Sequence, residues 1–212
     1  MDGIVFDLDG TLWDTCAACA VAWNRVLARE GIAFREISAA DVRAVTGLPH
    51  ADCIRQVFGA LPAGQVDVLI EQTMAEDNLV IAEMGGELYP GVSGGLHTLA
   101  ARYPLFIVSN CQQGYIETFA TWSGLGGLFQ DHLCWGDTGR PKGENLAALM
   151  ARQNLRHPLM VGDTGGDWQA ARENGVAFLQ VTYGFGAPIA GVPQAASFHE
   201  VLERVANGAG PR

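Results

Sequence analysis

Apolar and polar residues alternate in two different ways along this chain of 212 residues. From about residue 90 onward, short continuous apolar runs alternate with segments whose apolar residues have helical spacing. The apolar runs predict strands at Leu105–Ser109, His132–Trp135, Leu159–Gly162 and Ala177–Val181. Because strands that alternate with helices are typical of a doubly wound parallel sheet, the pattern predicts an α/β, Rossmann-like fold.

A further strand is predicted at the start of the chain, where Ile4–Phe6 is apolar throughout. This strand ends in two carboxylates, Asp7 and Asp9, which are separated by one residue. Two desolvated charges of the same sign are costly unless something neutralises them. Carboxylates at the carboxyl end of a parallel strand suit Mg²⁺, which keeps waters and shares its ligands with a phosphate. The pattern therefore predicts a magnesium site at this strand end.

The segment between these two parts has helical spacing and no convincing strand. We predict helices there at residues 17–27, from a capping box at Ser38, at 51–58 and at 66–82. Tyr89, Pro90 and Gly91 then mark a hinge or linker. The chain is thus predicted to form an α/β core from residues 1–12 and 90–212, with an inserted all-helical cap domain and its hinges at 13–89.

Composition and charge narrow the possible partners. Thirteen Lys and Arg residues against 23 Asp and Glu give a net charge of −10, which disfavours nucleic acid and anionic membranes. No apolar stretch approaches the ~18 residues of a membrane span, and Asp2 stands where a signal peptide would be basic. The five cysteines, among them Cys16 and Cys19, have no regular spacing and suggest reduced thiols. We therefore expect a cytoplasmic protein, either a monomer or a homodimer.

Polar side chains also follow the other predicted strands. Ser109 and Asn110 come at the end of one strand, and Asp163 follows another, with Asp167 four residues further on. Lys142 opens a helical segment between these two strands. Doubly wound folds place their sites at the carboxyl ends of the strands, so these groups are predicted to share one site with the first two acids.

The motifs form an ordered set that resembles the haloacid dehalogenase-like hydrolases, and more narrowly their phosphoglycolate phosphatase-like branch. The resemblance covers nearly the whole chain. The residues that carry it are Asp7-x-Asp9-Gly10-Thr11, then Ser109, then Lys142, then Gly162-Asp163-x-x-x-Asp167. The pattern departs from many relatives at Lys142, which follows Pro141 instead of preceding a proline.

The resemblance implies a role for each catalytic residue. Asp7 would be the nucleophile that forms an aspartyl phosphate. Asp9 would protonate the leaving oxygen and then act as the base for the attacking water. Ser109 would hydrogen-bond a phosphoryl oxygen, and Lys142 would offset the negative charge between Asp7 and the transferring group.

The resemblance also implies ligands for the metal and the substrate. Mg²⁺ would be bound by Asp7, by the backbone carbonyl of Asp9 and by Asp163, while Asp167 would hold a metal-bound water or Lys142. The substrate would be contacted by Gly10, Thr11 and Asn110 in the core and by His50 in the cap loop, residues Thr46–His50, which would point into the pocket. His50 would be a weak, titratable contact to an anion.

Further candidate substrate contacts follow from the positions of charged and aromatic residues. Arg25, Arg43 and Arg55 lie in the predicted cap, and Tyr183–Gly186 follows the last strand. His50 stands where many sugar-phosphate mutases of the family carry an Arg, which weakens a mutase interpretation.

The sequence therefore predicts a Mg²⁺-dependent phosphomonoester hydrolase of a small metabolite, either phosphoglycolate-like or a sugar phosphate. A sugar-phosphate mutase of the same fold remains an alternative, because residue types do not exclude it. A non-catalytic receiver-type signalling module also has paired acids, a Ser or Thr and a Lys. The helical insert and Asp9 argue against it, since a receiver needs neither a lid nor an acid for a leaving group.

Overall fold

The computed structural model describes residues 1–208, so residues 209–212 of the predicted core lie outside the described part. The strands are β1 Ile4–Phe6, β2 Trp13–Asp14, β3 Glu87–Leu88, β4 Leu105–Ser109, β5 Phe129–Cys134, β6 Leu159–Gly162, β7 Ala177–Val181 and β8 Gln194–Ala195. The helices are α1 Cys16–Arg29, α2 Ala39–Arg43, α3 His50–Phe58, α4 Ala63–Met84, α5 Val92–Ala100, α6 Tyr115–Ser123, α7 Trp135–Thr138, α8 Lys142–Gln153, α9 Gly165–Glu173 and α10 Phe198–Ala206.

Six of these strands form one parallel sheet in the order β5-β4-β1-β6-β7-β8. The first strand is central, because Ile4 pairs with Leu105 on one side and with Leu159 on the other. The predicted doubly wound α/β fold is confirmed. This order places the carboxyl ends of β1, β4 and β6 side by side.

Both faces of the three central strands β1, β4 and β6 are covered, which explains their continuous apolar runs, whereas the edge strand β5 is largely half-buried and carries Gln130, Asp131 and His132. Along β1, Ile4 and Phe6 pack into one core cluster, while Val5 packs into the cluster on the other face. All three side chains are fully buried. A rigid sheet core of this kind holds its strand ends in fixed positions.

The inserted segment is helical, as predicted, and consists of α1 to α4. The short helix α2 begins with the predicted capping box, in which Ser38 and Asp41 bond each other's backbone N–H groups. Trp23 of α1 and Phe58 of α3 are buried within 5.9 Å of each other, measured between ring centroids. Both side chains belong to the same apolar cluster as Ile4 and Phe6 of β1, so the insert and one face of the sheet share a continuous interior.

Five local elements, β2, β3, β5, α7 and β8, differ from the prediction. The chain enters and leaves the helical insert through an antiparallel ribbon, in which Trp13 of β2 pairs with Leu88 of β3. Strand β5 begins at Phe129, three residues before the predicted start, and Trp135 begins α7 instead of ending the strand. Strands β2, β3 and β8 are two residues long, which is too short for an alternation of apolar and polar residues to be recognised in the sequence.

Within residues 1–208, the structure contains no helix that is both long enough and apolar enough to cross a bilayer.

Candidate active site

Three carboxylates meet where β1 and β6 end. Asp7 follows β1, Asp163 follows β6, and Asp167 lies in the first turn of α9. One oxygen from each of the three lies within 4.8 Å of the others, and all three side chains are buried. Asp167 is fixed by a capping box, because its Oδ2 accepts from the backbone N–H and the hydroxyl of Thr164, at 2.9 and 2.7 Å.

Lys142 bridges two of these acids from the start of α8. Its Nζ donates to Oδ1 of Asp7 at 2.8 Å and to Oδ1 of Asp167 at 2.6 Å. The ammonium group is itself buried. Lys142 is also the only lysine in the chain, all other cationic side chains apart from histidine being arginine. A single lysine among 13 Lys and Arg residues could have marked Lys142 in the sequence, but this feature was not used.

The buried charges shift one another's pKa. Burial raises the pKa of Asp7 well above its usual value, and the charge of Asp167 adds to this, while Lys142 opposes it. Burial, helped by Asp167, raises the pKa of Asp163 to about 7. Burial alone would lower the pKa of Lys142, but the carboxylates of Asp167 and Asp7 outweigh it and raise that pKa. One ammonium group therefore does not compensate three buried acids.

The surroundings of Asp163 fit a divalent cation. Its Oδ2 accepts from the backbone N–H groups of Phe185 and Gly186 at 2.7 and 3.2 Å. Its Oδ1 is buried and has no hydrogen-bond partner among the described residues. A cluster of carboxylate oxygens with an orphaned acceptor is the donor set that Mg²⁺ prefers. Gly10 has a φ of +79°, and a Cβ there would collide with this carboxylate, so the turn requires glycine.

Asp9 lies in a different environment from Asp7, although only one residue separates them. Its Oδ1 accepts from the hydroxyl of Tyr115 at 2.6 Å and from that of Thr15 at 3.3 Å. Burial raises the pKa of Asp9 to about 6, although these two hydrogen bonds lower it. A carboxyl group with such a pKa can both give and take a proton near neutral pH. Tyr115 and Thr15 were not identified from the sequence, because 106 residues separate Tyr115 from Asp9.

Of the other predicted core residues, Ser109 and Asn110 line the cavity beside the acids, whereas Gly10 and Thr11 do not. Ser109 ends β4, is buried and accepts from the backbone N–H of Cys111 at 3.2 Å. Asn110 donates from its Nδ2 to the carbonyl of Gly47 in the cap loop at 2.8 Å. Thr11 is buried, and its hydroxyl has no partner among residues 1–208. Thus Asp7, Asp9, Ser109 and Asn110 border one cavity, which Lys142 also lines.

The predicted cap contacts separate into two groups. His50 lines the cavity and is buried, with its Nε2 2.9 Å from the hydroxyl of Thr73. Burial lowers the pKa of His50 to about 4, so the ring is neutral at pH 7, and not the titratable anion contact that we expected. By contrast, Arg25, Arg43 and Arg55 do not line the cavity; they pair with Glu83, Asp14 and Asp52 respectively.

The predicted loop after the last strand contributes through its backbone and one hydroxyl. Tyr183 donates from its hydroxyl to the carbonyl of Thr11 at 2.8 Å, and the next residues hold Asp163 as described. Gly184 lies so close to Gly10 and Asp163 that a Cβ would collide with both. The loop therefore shapes the acid cluster and does not line the cavity beside it.

The cap contributes one acid that the sequence analysis missed. Asp77 of α4 is 2% exposed and lines the same cavity as Asp7 and Asp9. The signal was available in the sequence, because the buried stripe of α4 runs Val66, Leu69, Thr73, Asp77, Val80 and Ile81. Two polar residues at helical spacing within an apolar stripe indicate a buried polar site.

Comparisons with known proteins agree with this geometry. A sequence model of the family described as haloacid dehalogenase-like hydrolase matches residues 4–181. A phosphoglycolate phosphatase of Rhodobacter capsulatus is 31% identical over 205 residues, which cover 93% of this chain and 92% of that protein. A phosphoglycolate phosphatase of Agrobacterium fabrum is 29% identical over 193 residues, covering 85% of this chain and 80% of the relative.

Solved structures share the fold at lower identity. A structure described as a predicted phosphoglycolate phosphatase from Haemophilus somnus has a TM-score of 0.86 at 24% identity and covers 97% of this chain and 98% of its own. A haloacid dehalogenase-like family hydrolase from Streptococcus pneumoniae has a TM-score of 0.84 at 22% identity, with the same two coverages.

Proposed function

The chain belongs to the haloacid dehalogenase-like hydrolase family, and we propose that it is a Mg²⁺-dependent phosphomonoester hydrolase of a small phosphorylated metabolite. One observation carries the proposal: two carboxylates one residue apart border one cavity with different partners. Asp7 is held by the ammonium group of Lys142, whereas Asp9 is held by the hydroxyl of Tyr115. Different environments suit the two carboxylates to different roles.

Asp7 is the proposed nucleophile. Its Oδ1 accepts from Lys142, which leaves Oδ2 for the attack. In the first step, Oδ2 attacks the phosphorus, and the bond between phosphorus and the leaving oxygen breaks. The product is an aspartyl phosphate on Asp7, and a proton from Asp9 neutralises the departing alkoxide.

In the second step Asp9 acts as a base instead of an acid. It takes a proton from a water molecule that attacks the same phosphorus, and the bond between phosphorus and Asp7 breaks. Inorganic phosphate leaves, and both carboxyl groups return to their starting states. A pKa of about 6 supports this exchange, because an acid–base group works best near the operating pH.

The remaining polar residues are proposed to hold the phosphoryl group and the metal. Ser109, together with the turn at Gly10 and Thr11, would donate to phosphoryl oxygens, and Asn110 would place the cap loop against them. Mg²⁺ bound by Asp7, the Asp9 carbonyl and Asp163 would neutralise charge on the acids and on the phosphoryl group. Asp167 is the proposed anchor of Lys142, to which it is bonded at 2.6 Å.

We propose that the core, residues 1–12 and 90–212, carries out this chemistry. The cap with its hinges, residues 13–89, would select the substrate. Contacts across the cavity support a cap that covers the site. Asn110 bonds Gly47, and Asn78 of α4 donates to the carbonyl of Gln113 at 2.9 Å. A closed cap excludes bulk water and strengthens the electrostatic interactions inside.

Phosphate release from a panel of small phosphomonoesters, measured with Mg²⁺ and with excess chelator, tests the proposal. The expected result is stoichiometric inorganic phosphate that requires the metal. A mutase would instead return the phosphoryl group to an isomeric hydroxyl and release little phosphate. Full activity in chelator would refute the metal requirement, and no release from any ester would refute the phosphatase.

A further inference from the structure

The buried acid of the cap, Asp77, has one oxygen without an N–H or O–H donor. Its Oδ2 accepts from the indole N–H of Trp23 at 3.3 Å, and Nδ1 of His50 lies 3.5 Å from the same oxygen. Its Oδ1 is buried and receives no N–H or O–H hydrogen bond from residues 1–208, and the Cys19 thiol, a weak donor, is the one further side chain that lowers the pKa of Asp77 by hydrogen bonding. Natural proteins rarely leave a buried acceptor unpaired, so an unmatched carboxylate oxygen in a cavity indicates a missing donor.

The cavity relates this oxygen to the proposed chemistry. Asp77 lines the same space as Asp7 and Asp9, and its neighbours Trp23 and His50 line it too. The cavity measures about 60 Å³. Since a water molecule takes about 30 Å³ in the liquid, this volume corresponds to roughly two water molecules. The space that Asp77 shares with Asp7 and Asp9 is therefore small and favours a short leaving group.

The charges around this space do not suit a carboxylate on the far end of the substrate. Among the residues that line the cavity, the one charged cation is Lys142, and its ammonium group already bonds Asp7 and Asp167. His50 is neutral at pH 7, because burial lowers its pKa to about 4. A carboxylate beside Asp77 would have no counter-charge, whereas a hydroxyl or an ammonium group would supply the missing donor.

We propose that Asp77 is a specificity-determining residue, and that its free oxygen accepts a hydrogen bond from the substrate's leaving group. The substrate class is phosphate monoesters of short alcohols whose far end carries a hydroxyl or an ammonium group, and not a carboxylate. This inference rests on the proposed phosphatase function and names the substrate for the same site. It also separates this chain from the substrate that the names of its relatives would suggest.

Thr73 and Trp23 support a positioned carboxylate. Thr73 is fully buried one turn before Asp77 and is bonded to His50, which in turn lies against Asp77. Trp23 can only donate, so Oδ2 of Asp77 must accept from it, and any proton on the carboxyl group would reside on Oδ1. Burial raises the pKa of Asp77, and a donor on the ligand opposes that shift by stabilising the charged form.

Four esters of similar size test the proposal on the full-length protein with Mg²⁺. They are 2-hydroxyethyl phosphate, O-phosphoethanolamine, 2-phosphoglycolate and propyl phosphate, which present a hydroxyl, an ammonium, a carboxylate and a methyl group. We expect kcat/KM for at least one of the two donor esters to exceed that for both other esters by about tenfold or more. The two donor esters compared with each other show whether the hydroxyl or the ammonium group is read.

A pair of variants separates recognition from structure. Asp77→Asn keeps the side-chain size and an acceptor for Trp23 but puts an NH₂ donor where the free acceptor oxygen stood. It should reduce the preference for phosphoethanolamine over propyl phosphate by about tenfold, mainly through KM. Asp52→Asn makes the same change on α3, at a side chain that is 54% exposed and pairs with Arg55, and should leave the ranking unchanged.

Each outcome decides between the two proposals. A wild-type preference for 2-phosphoglycolate, the result expected if a protonated Asp77 donated to a carboxylate, would overturn the inference and leave the phosphatase intact. Equal rates for all four esters, or an unchanged ranking in folded Asp77→Asn, would do the same. No phosphate from any ester would overturn the phosphatase and the inference with it. The wild-type ranking decides the matter even where Asp77→Asn fails to fold.

Discussion

Replacing Lys142 with methionine removes the one cation that holds two buried acids. The side chain of Met is similar in length and fills the same space, so the change isolates the loss of the ammonium group. Asp7 and Asp167 would then keep their burial but lose hydrogen bonds of 2.8 and 2.6 Å. Removing one partner of a buried ion pair typically costs about 3–5 kcal/mol, because the remaining charge is uncompensated. We expect a loss of that size in the free energy of unfolding at pH 7 in chelator.

The pH dependence of this loss identifies its cause. Burial already raises the pKa of Asp7 above its unfolded value, and without Lys142 that pKa rises further. An acid with a raised folded-state pKa binds more protons in the folded than in the unfolded state, so stability increases as the pH falls. The difference between Lys142→Met and wild type should therefore shrink from pH 8 to pH 5. A packing defect would leave the difference independent of pH.

Thermal and urea unfolding in chelator measure the effect. A loss of 1 kcal/mol shifts the Tm of a chain of this size by about 2–4 °C, so we expect a decrease of roughly 6–20 °C. Arg140→Met is the matched control, because it removes one positive charge two residues away from an exposed position. A Tm for Lys142→Met within about 2 °C of this control would refute the reasoning. Mg²⁺ should restore part of the loss if the three acids bind it.

Further predictions concern the nucleophile, the metal and the charge state of the site. Asp7→Asn should abolish phosphate release while leaving the circular dichroism spectrum unchanged. Loss of a covalent nucleophile raises the activation barrier by several kcal/mol, and each tenfold loss of rate corresponds to about 1.36 kcal/mol. Near wild-type turnover would contradict the assignment of Asp7 as the nucleophile. Asp163→Asn should raise the Mg²⁺ concentration for half-maximal activity more than Asp167→Asn does. The reason is that one oxygen of Asp163 has no hydrogen-bond partner, whereas both oxygens of Asp167 are occupied. Equal half-maximal Mg²⁺ concentrations for the two variants would contradict this prediction. In chelator, wild-type stability should rise by at least about 1 kcal/mol from pH 8 to pH 6, since the raised pKa of about 7 for Asp163 makes the folded state bind the extra proton, and Mg²⁺ should reduce the rise. Selective ¹⁵N labelling of Lys142, the only lysine, gives one side-chain NMR signal, which should stay protonated above the usual lysine pKa; titration below it would show that the ion pairs do not form.

Local patterns were enough to identify the sheet, the helical insert and the positions of the acids. Residues 4–6 are apolar because both sides of the strand are covered, and the polar residue that follows marks the strand's end. The capping box at Ser38 is also local, since its hydrogen bonds span only three residues. Such features depend on a few neighbouring side chains and backbone groups, so they can be recognised in the sequence. The strand order could not, and neither could the two-residue strands β2, β3 and β8.

The contacts that give the site its chemistry were decided by the tertiary structure. Lys142 bonds Asp7 from 135 residues away, and Tyr115 bonds Asp9 from 106 residues away. No local pattern predicts which of several acids a lysine or tyrosine will meet, because packing of the sheet and helices brings them together. Burial, a property of the whole fold, sets the pKa values. His50 shows the difference most clearly: the sequence placed it at the cavity, but only the packing of α3 against α4 made it neutral and paired it with Thr73 beside Asp77.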